Sequence, residues 1–154
     1  MDTTPQPHSQ ALRRGRVSLQ HQAYLITTCT HERLPLLSAW SPARCVVKEM
    51  QALDQDGWVS SLSYVVMPDH LHWLLVLDDA ELGGVVKRLK GRSAITINAS
   101  LNRRGPVWQP GYHDRALRRE EDLRSIARYI VANPLRAGLV DTIGQYPFWD
   151  AKWL

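Results

Sequence analysis

The sequence predicts an α+β fold, a small antiparallel sheet with helices packed on one face. Two observations lead there. Strand-like segments and segments with the 3,4-spacing of amphipathic helices follow one another in the order β, α, β, β, α, then β or loop, then α. The two middle strands are separated only by Pro68-Asp69, a link so short that they must pair antiparallel. The outline is ferredoxin-like or RRM-like. At 154 residues the chain is one domain able to bury its own core.

The elements are justified in turn. Ala23 to Cys29 (AYLITTC) is β-branched and aromatic and gives the first strand. Pro42 to Gln55 carries apolar residues at 43, 46, 47, 50 and 53; it predicts a helix that Pro42 opens and Gly57 stops. Trp58 to Met67 and His70 to Leu77 are the paired strands. Leu82 to Ala99 reads as a second helix, interrupted by Gly91, and 105–115 as loop or short strand. A third helix spans about Arg119 to Ala132, and Pro134 ends it. The tail YPFWDAKWL, with two tryptophans, is expected to dock on the core.

Composition narrows the function. No window holds the 18 apolar residues that a membrane span needs. Residues 1–16 (MDTTPQPHSQALRRGR) lack an apolar stretch after the arginines, so they read as a flexible basic arm and not an export signal. The domain then covers 17–154, and the expected location is the cytoplasm. Cys29 and Cys45 form no CxxC and are too few for a disulfide framework. The net charge of +4 is unevenly spread: 87–136 holds twelve Lys/Arg and four acids, the remainder seven and eleven. A half carrying +8 is a candidate footprint for a polyanion, commonly nucleic acid, although solvated helix faces would give the same count.

The chemistry concentrates in YVVMPDHLHWLLVL. Alternation puts His70, His72, Leu74 and Val76 on one face of a strand that is apolar on both, hence central. Each unsatisfied buried imidazole would cost roughly 1–3 kcal/mol. Either each ring is separately hydrogen-bonded in a core, or the two ligate a metal together. On the third helix Tyr129 and Asn133, four apart, flank the apolar stripe Leu123, Ile126, Ala127 and Ile130. They would offer a hydroxyl and an amide oxygen as a further donor to a metal, or be merely a boundary aromatic and a helix cap.

MPDHLHWLL, LKGRSA, WQPGYHDRAL and ARYIVANPLRAGLV together resemble the single-tyrosine HUH transposases, specifically the REP-associated tyrosine transposases of bacteria, from about Arg14 to Trp149. The resemblance implies the HUH endonuclease fold, with His70 and His72 as metal ligands and Asn133 where the family places Gln or Asn. Tyr129 would be the nucleophile and Mg²⁺ or Mn²⁺ the cofactor. It further implies attack on single-stranded DNA to leave a 5′-phosphotyrosine and a free 3′-OH, reversed on rejoining without ATP. The implied substrate is a hairpin formed by a palindromic repeat, with a short single-stranded guide at its foot. Monomer and homodimer both fit. Two other readings remain open: a non-catalytic regulator that binds hairpin DNA or RNA, and a nuclease that uses water in place of Tyr129.

The basic half then has a task. Lys87, Arg88, Lys90 and Arg92 form a cationic ridge on the second helix, with Arg103, Arg104, Arg118 and Arg119 as extensions. Arg13, Arg14 and Arg16 would act as a DNA-binding arm. Trp108, Tyr112 and His113 are candidates to stack on unpaired bases, with Trp108 equally readable as a core anchor. Arg136 would meet either phosphate or the helix C-terminus.

Overall fold

The structure is a computed structural model, and it describes residues 21–118 and 122–152. Five strands make one sheet: β1 (Ala23–Cys29), β2 (Val59–Met67), β3 (His70–Leu77), β4 (His113–Ala116) and β5 (Trp149–Ala151), in the order β4-β1-β3-β2-β5. Every pairing is antiparallel, and β3 is central, as its two apolar faces require. Two long helices, α1 (Trp40–Gln55) and α2 (Leu82–Leu101), cover one face. There they bury Leu71, Trp73, Leu75 and Leu77 of β3 with Val46, Met50, Leu53, Val85 and Leu89.

One element lies elsewhere. The short helix α3 (Leu123–Val131) packs on the opposite face, its Ala127, Ile130 and Val131 against Leu62, Val65, Met67 and Leu74. A bulge in β2 between Ser61 and Ser63 prepares that contact. The extra residue turns Leu62 and Ser63 toward α3 while Ser61 stays on the α1 side. There Ser61 Oγ accepts from Trp73 Nε1 at 2.9 Å, and across the sheet buried Ser63 Oγ donates to the Ala127 carbonyl at 3.3 Å.

Several boundaries depart from the sequence-based expectation. α2 runs unbroken through Gly91, because the buried series Val85, Val86, Leu89, Ser93, Ile97 continues across it. That burial offsets a glycine cost of about 1 kcal/mol. α2 ends at Asn102, whose φ of 51° is the left-handed cap geometry. The expected start of the third helix at Arg119 is not observed: residues 119–121 lie outside the described region, and α3 begins at Leu123. Asp122 is its N-cap, accepting from the Arg124 and Ser125 amides at 3.0 and 3.2 Å. α3 stops at Val131, and Asn133–Arg136 form a separate turn, α4, with Pro134 in its first turn.

The described part of the tail docks as expected. Tyr146 Oη donates to the Val66 carbonyl at 2.6 Å, and the Val66 amide donates to the Phe148 carbonyl at 2.9 Å. Trp108 is a core anchor, 7% exposed, with Nε1 donating to Ser93 Oγ at 3.0 Å. Trp108→Ala is therefore expected to destabilise the fold by about 3–5 kcal/mol in urea unfolding, the range for loss of a buried aromatic.

Candidate active site

The register of β3 between its neighbours builds the site. Pairing with β1 sets Cys29 opposite His70 and Thr27 opposite His72. The two imidazoles stand edge to face, centroids 4.8 Å apart, on the α3 side of the sheet. Each is held at Nδ1. His70 Nδ1 lies 2.8 Å from Asp69 Oδ1, and His72 Nδ1 lies 2.8 Å from Thr27 Oγ1. An ionised carboxylate only accepts, so His70 carries its proton on Nδ1 and keeps a lone pair on Nε2. The Thr27 hydroxyl can accept in the same way and leave His72 Nε2 free. Both imidazoles are thus presented as metal ligands usually are, the second nitrogen tied to a carboxylate or hydroxyl.

Asp69 is itself gripped. Its other oxygen takes Arg33 Nε at 3.1 Å and the guanidinium's second nitrogen at 3.0 Å. Burial pushes the Asp69 carboxyl up, but the His70 hydrogen bond and the Arg33 charge outweigh that and hold it below its usual value. Arg33 belongs to a tight turn in which Glu32 and Arg33 both adopt left-handed φ, 52° and 56°. Such residues cost on the order of 1–3 kcal/mol and persist only where their surroundings fix them. Here the Thr30 amide donates to the Asp69 carbonyl at 2.9 Å, Thr30 Oγ1 donates to the Leu34 carbonyl at 2.6 Å, and the His31 amide donates to the Val107 carbonyl at 2.8 Å.

α3 and α4 supply the other half. Tyr129 is 65% exposed, and the Arg136 guanidinium sits 3.6 Å from its ring centroid. The same Arg136 donates to Asn133 Oδ1 at 2.9 Å. Ala132 keeps helix-like backbone between α3 and α4, and the Arg136 and Ala137 amides donate to the Ala132 and Asn133 carbonyls. Tyr129, Asn133 and Arg136 therefore form one connected group. Burial first, then the neighbouring His70 and the cations Arg136 and Arg33, push the His72 pKa from 6.5 down to about 4. The imidazole is neutral at pH 7, as a ligand must be.

The donor set fits a divalent cation. Two Nε2 lone pairs lie on one face, and the Asn133 amide oxygen keeps a second lone pair beside the one Arg136 uses. Among the described residues no cluster of three His, Cys, Asp or Glu occurs, so a third protein donor has to be of another type. Imidazole with amide oxygen suits Mn²⁺ better than Mg²⁺, which favours oxygen and retains waters.

Two members of the expected cationic ridge on α2 are engaged within the protein. Arg88 pairs with Asp56 at 2.7 Å and lies over Trp58. Lys90 Nζ straps the 109–111 loop, donating to the Gln109 carbonyl at 2.6 Å and to the Gly111 carbonyl. Both are structural, because the α2 face that bears them abuts α1 and the loop. Lys87, Arg92 and Arg104 are exposed. Trp108 and Tyr112 are buried, at 7% and 5%, and so cannot stack on bases; His113 is exposed at the start of β4. Arg14 and Arg16 lie outside the described residues. Sequence reasoning did not single out Asp69, Thr27 and Arg33. An acid directly preceding the first histidine was a readable signal, whereas the other two depend on strand register and turn geometry.

Residues 18–133 match the family model described as "Transposase IS200 like", and the chain belongs to that family. Within it, the chain is similar to a REP-associated tyrosine transposase of Escherichia coli K12, 30% identical over 88 residues. Those residues are 56% of this chain and 50% of that protein, so the chain matches about half the length of that relative. Its fold resembles that of a REP-associated tyrosine transposase solved with a REP hairpin bound, at a TM-score of 0.71 and 21% identity, covering 87% of this chain and 79% of the other. It also resembles a putative transposase from Deinococcus radiodurans R1, at a TM-score of 0.54 and 22% identity, covering 73% and 91%. No helix among the described residues is long and apolar enough to cross a membrane.

The depressed His72 pKa makes a prediction for the metal-free protein. The unfolded chain protonates His72 near 6.5, the folded chain only near 4, so stability falls as pH drops through that window. The expected loss is about 3 kcal/mol. It should be missing from His72→Gln, read as urea midpoints between pH 7 and 4; parallel curves for the two proteins would contradict the burial.

Proposed function

We propose that the protein is a metal-dependent, tyrosine-nucleophile transposase that cleaves and rejoins single-stranded DNA at hairpin-forming palindromic repeats. The observation that carries this reading is the Asp69–His70 hydrogen bond. It aims a lone pair from His70, beside His72, into the sheet face on which the helix of Tyr129 packs. His70, His72 and Asn133 would hold Mg²⁺ or Mn²⁺. When bound, the ion would polarise the scissile phosphate and neutralise charge developing on its oxygens.

The chain's own residues account for the rest. Tyr129 Oη forms a bond to phosphorus as the P–O3′ bond breaks. The phenolic proton passes to solvent, and the departing 3′-oxygen takes one up. The products are a 5′-phosphotyrosine and a free 3′-OH, and rejoining is the reverse attack. Arg136, over the Tyr129 ring and on Asn133, orients the phenol and adds positive charge where a phosphate would sit. Arg33 and Asp69 fix the His70 ring.

The test is a labelled single-stranded hairpin oligonucleotide incubated with Mg²⁺ or Mn²⁺ and run on a denaturing gel. A covalent adduct is expected from the wild type and none from Tyr129→Phe, which should still bind the hairpin. Cleavage surviving in Tyr129→Phe would make the protein a water-using nuclease. Binding with no cleavage by the wild type would make it a regulator. His70→Ala should lose cleavage and keep binding. Asp69→Ala should raise the Mn²⁺ concentration for half-maximal adduct formation by about 10–100-fold, as for other partners of metal-bound histidines.

A further inference from the structure

α1 carries a surface stripe that the site does not use. Trp40, Arg44, Lys48, Gln51 and Gln55 are all exposed. At about 100° per residue they fall within an arc of about 80°, in a stripe ~22 Å long. No carboxylate of α1 falls inside that arc, although Asp54, held by the Ser61 amide, lines the groove beside Gln51 and Gln55 together with Asp150. Trp40 is 60% exposed, and its ring packs 5.0 Å from that of Phe148, a tilted contact that braces it from behind. Neither Arg44 nor Lys48 is ion-paired among the described residues.

A large exposed aromatic, two unpaired cations and two amides in line form the pattern that tracks a nucleic-acid strand: stacking from the ring, phosphate contacts from the cations, hydrogen bonds from the amides. An acidic protein surface would engage the cations but leave the ring idle, and an apolar partner would leave the cations idle. The stripe also begins near the site. Leu37, three residues before Trp40, donates its amide hydrogen to the Pro68 carbonyl at 2.9 Å, in the turn that delivers Asp69 and His70.

We infer that α1 is a second docking surface, for the single-stranded DNA that flanks the cleavage site, with one base stacked on Trp40 and successive phosphates on Arg44 and Lys48. The inference rests on the proposed function only in taking DNA as the ligand.

The test is fluorescence anisotropy with labelled (dT)20 in EDTA, so that cleavage cannot contribute. Trp40→Ala should weaken binding at least about fivefold, the lower bound for loss of one stacked base, while Trp40→Phe keeps most of the affinity. Arg44→Ala/Lys48→Ala should weaken binding and flatten the slope of log K against log salt by about 1.4, two single-strand phosphate contacts. Lys87→Ala/Arg92→Ala, on exposed positions of α2, is the comparison and should change binding less. Thermal melts of each variant exclude misfolding. Unchanged (dT)20 affinity in both α1 variants, a larger loss in the α2 variant, or no (dT)20 binding by the wild type would each overturn the inference. A protein that binds through α1 yet forms no adduct with hairpin DNA would keep this inference and lose the catalytic one.

Discussion

Everything at the site depends on the register of β3. Side chains alternate with a period of two, so a slip of one residue would drive His70 and His72 into the α1–α2 core and turn Leu71 and Trp73 out toward α3. Pairing on both sides prevents it. β1 sets Thr27 against His72, and β2 sets Met67 against His70 and Tyr64 against Trp73. Trp73, fully buried and bonded to Ser61, is the pin: in this register its indole has both a buried site and an acceptor. The apolar length of the strand thus keeps two polar rings at one end in fixed positions.

The same charges serve two needs there. Burial first, with His70, Arg136 and Arg33 after it, holds His72 neutral, and the two arginines also create a positive field in which a phosphodiester would be stabilised. A carboxylate ligand would have weakened that field. The left-handed turn at Glu32 and Arg33 belongs to this economy. It carries backbone strain, offset by bonds from Thr30 and His31, and it delivers a cation to Asp69 so that the carboxylate orients His70 without adding net negative charge.

The sequence displays local periodicity well and tertiary adjacency poorly. Strand alternation alone placed His70 and His72 on one face, and the 3,4-spacing of 123, 126, 127 and 130 placed Tyr129 beside a buried stripe; both hold. The cationic ridge on α2 shows the complementary limit. Helical spacing shows that Lys87, Arg88, Lys90 and Arg92 are near one another, but not that Asp56 and the 109–111 carbonyls lie beneath two of them. The outward stripe of α1 was as readable by spacing, but it lies in the acidic part of the chain, where a count of net charge hides it. That α3 crosses to the other side of the sheet was unreadable, because an amphipathic helix does not declare which face of a sheet it will cover. The bulge at Leu62 settles it by turning an extra apolar residue that way.

That division of faces gives the two halves of the site unequal rigidity. The histidines stand on the central strand of a five-stranded sheet, backed by α1 and α2. Tyr129 stands on a nine-residue helix, below the length at which helices hold themselves together in water. α3 persists because Asp122 caps it, Ala127, Ile130 and Val131 are buried, and Ser63 grips its Ala127 carbonyl. Tyr129, the proposed nucleophile, therefore stands on the less firmly held element and the imidazole pair on the more firmly held one. In the proposed reaction, which would release one DNA end and accept another, that asymmetry would let the imidazole pair hold the phosphate still while Tyr129 adjusts on a small, separable patch of core.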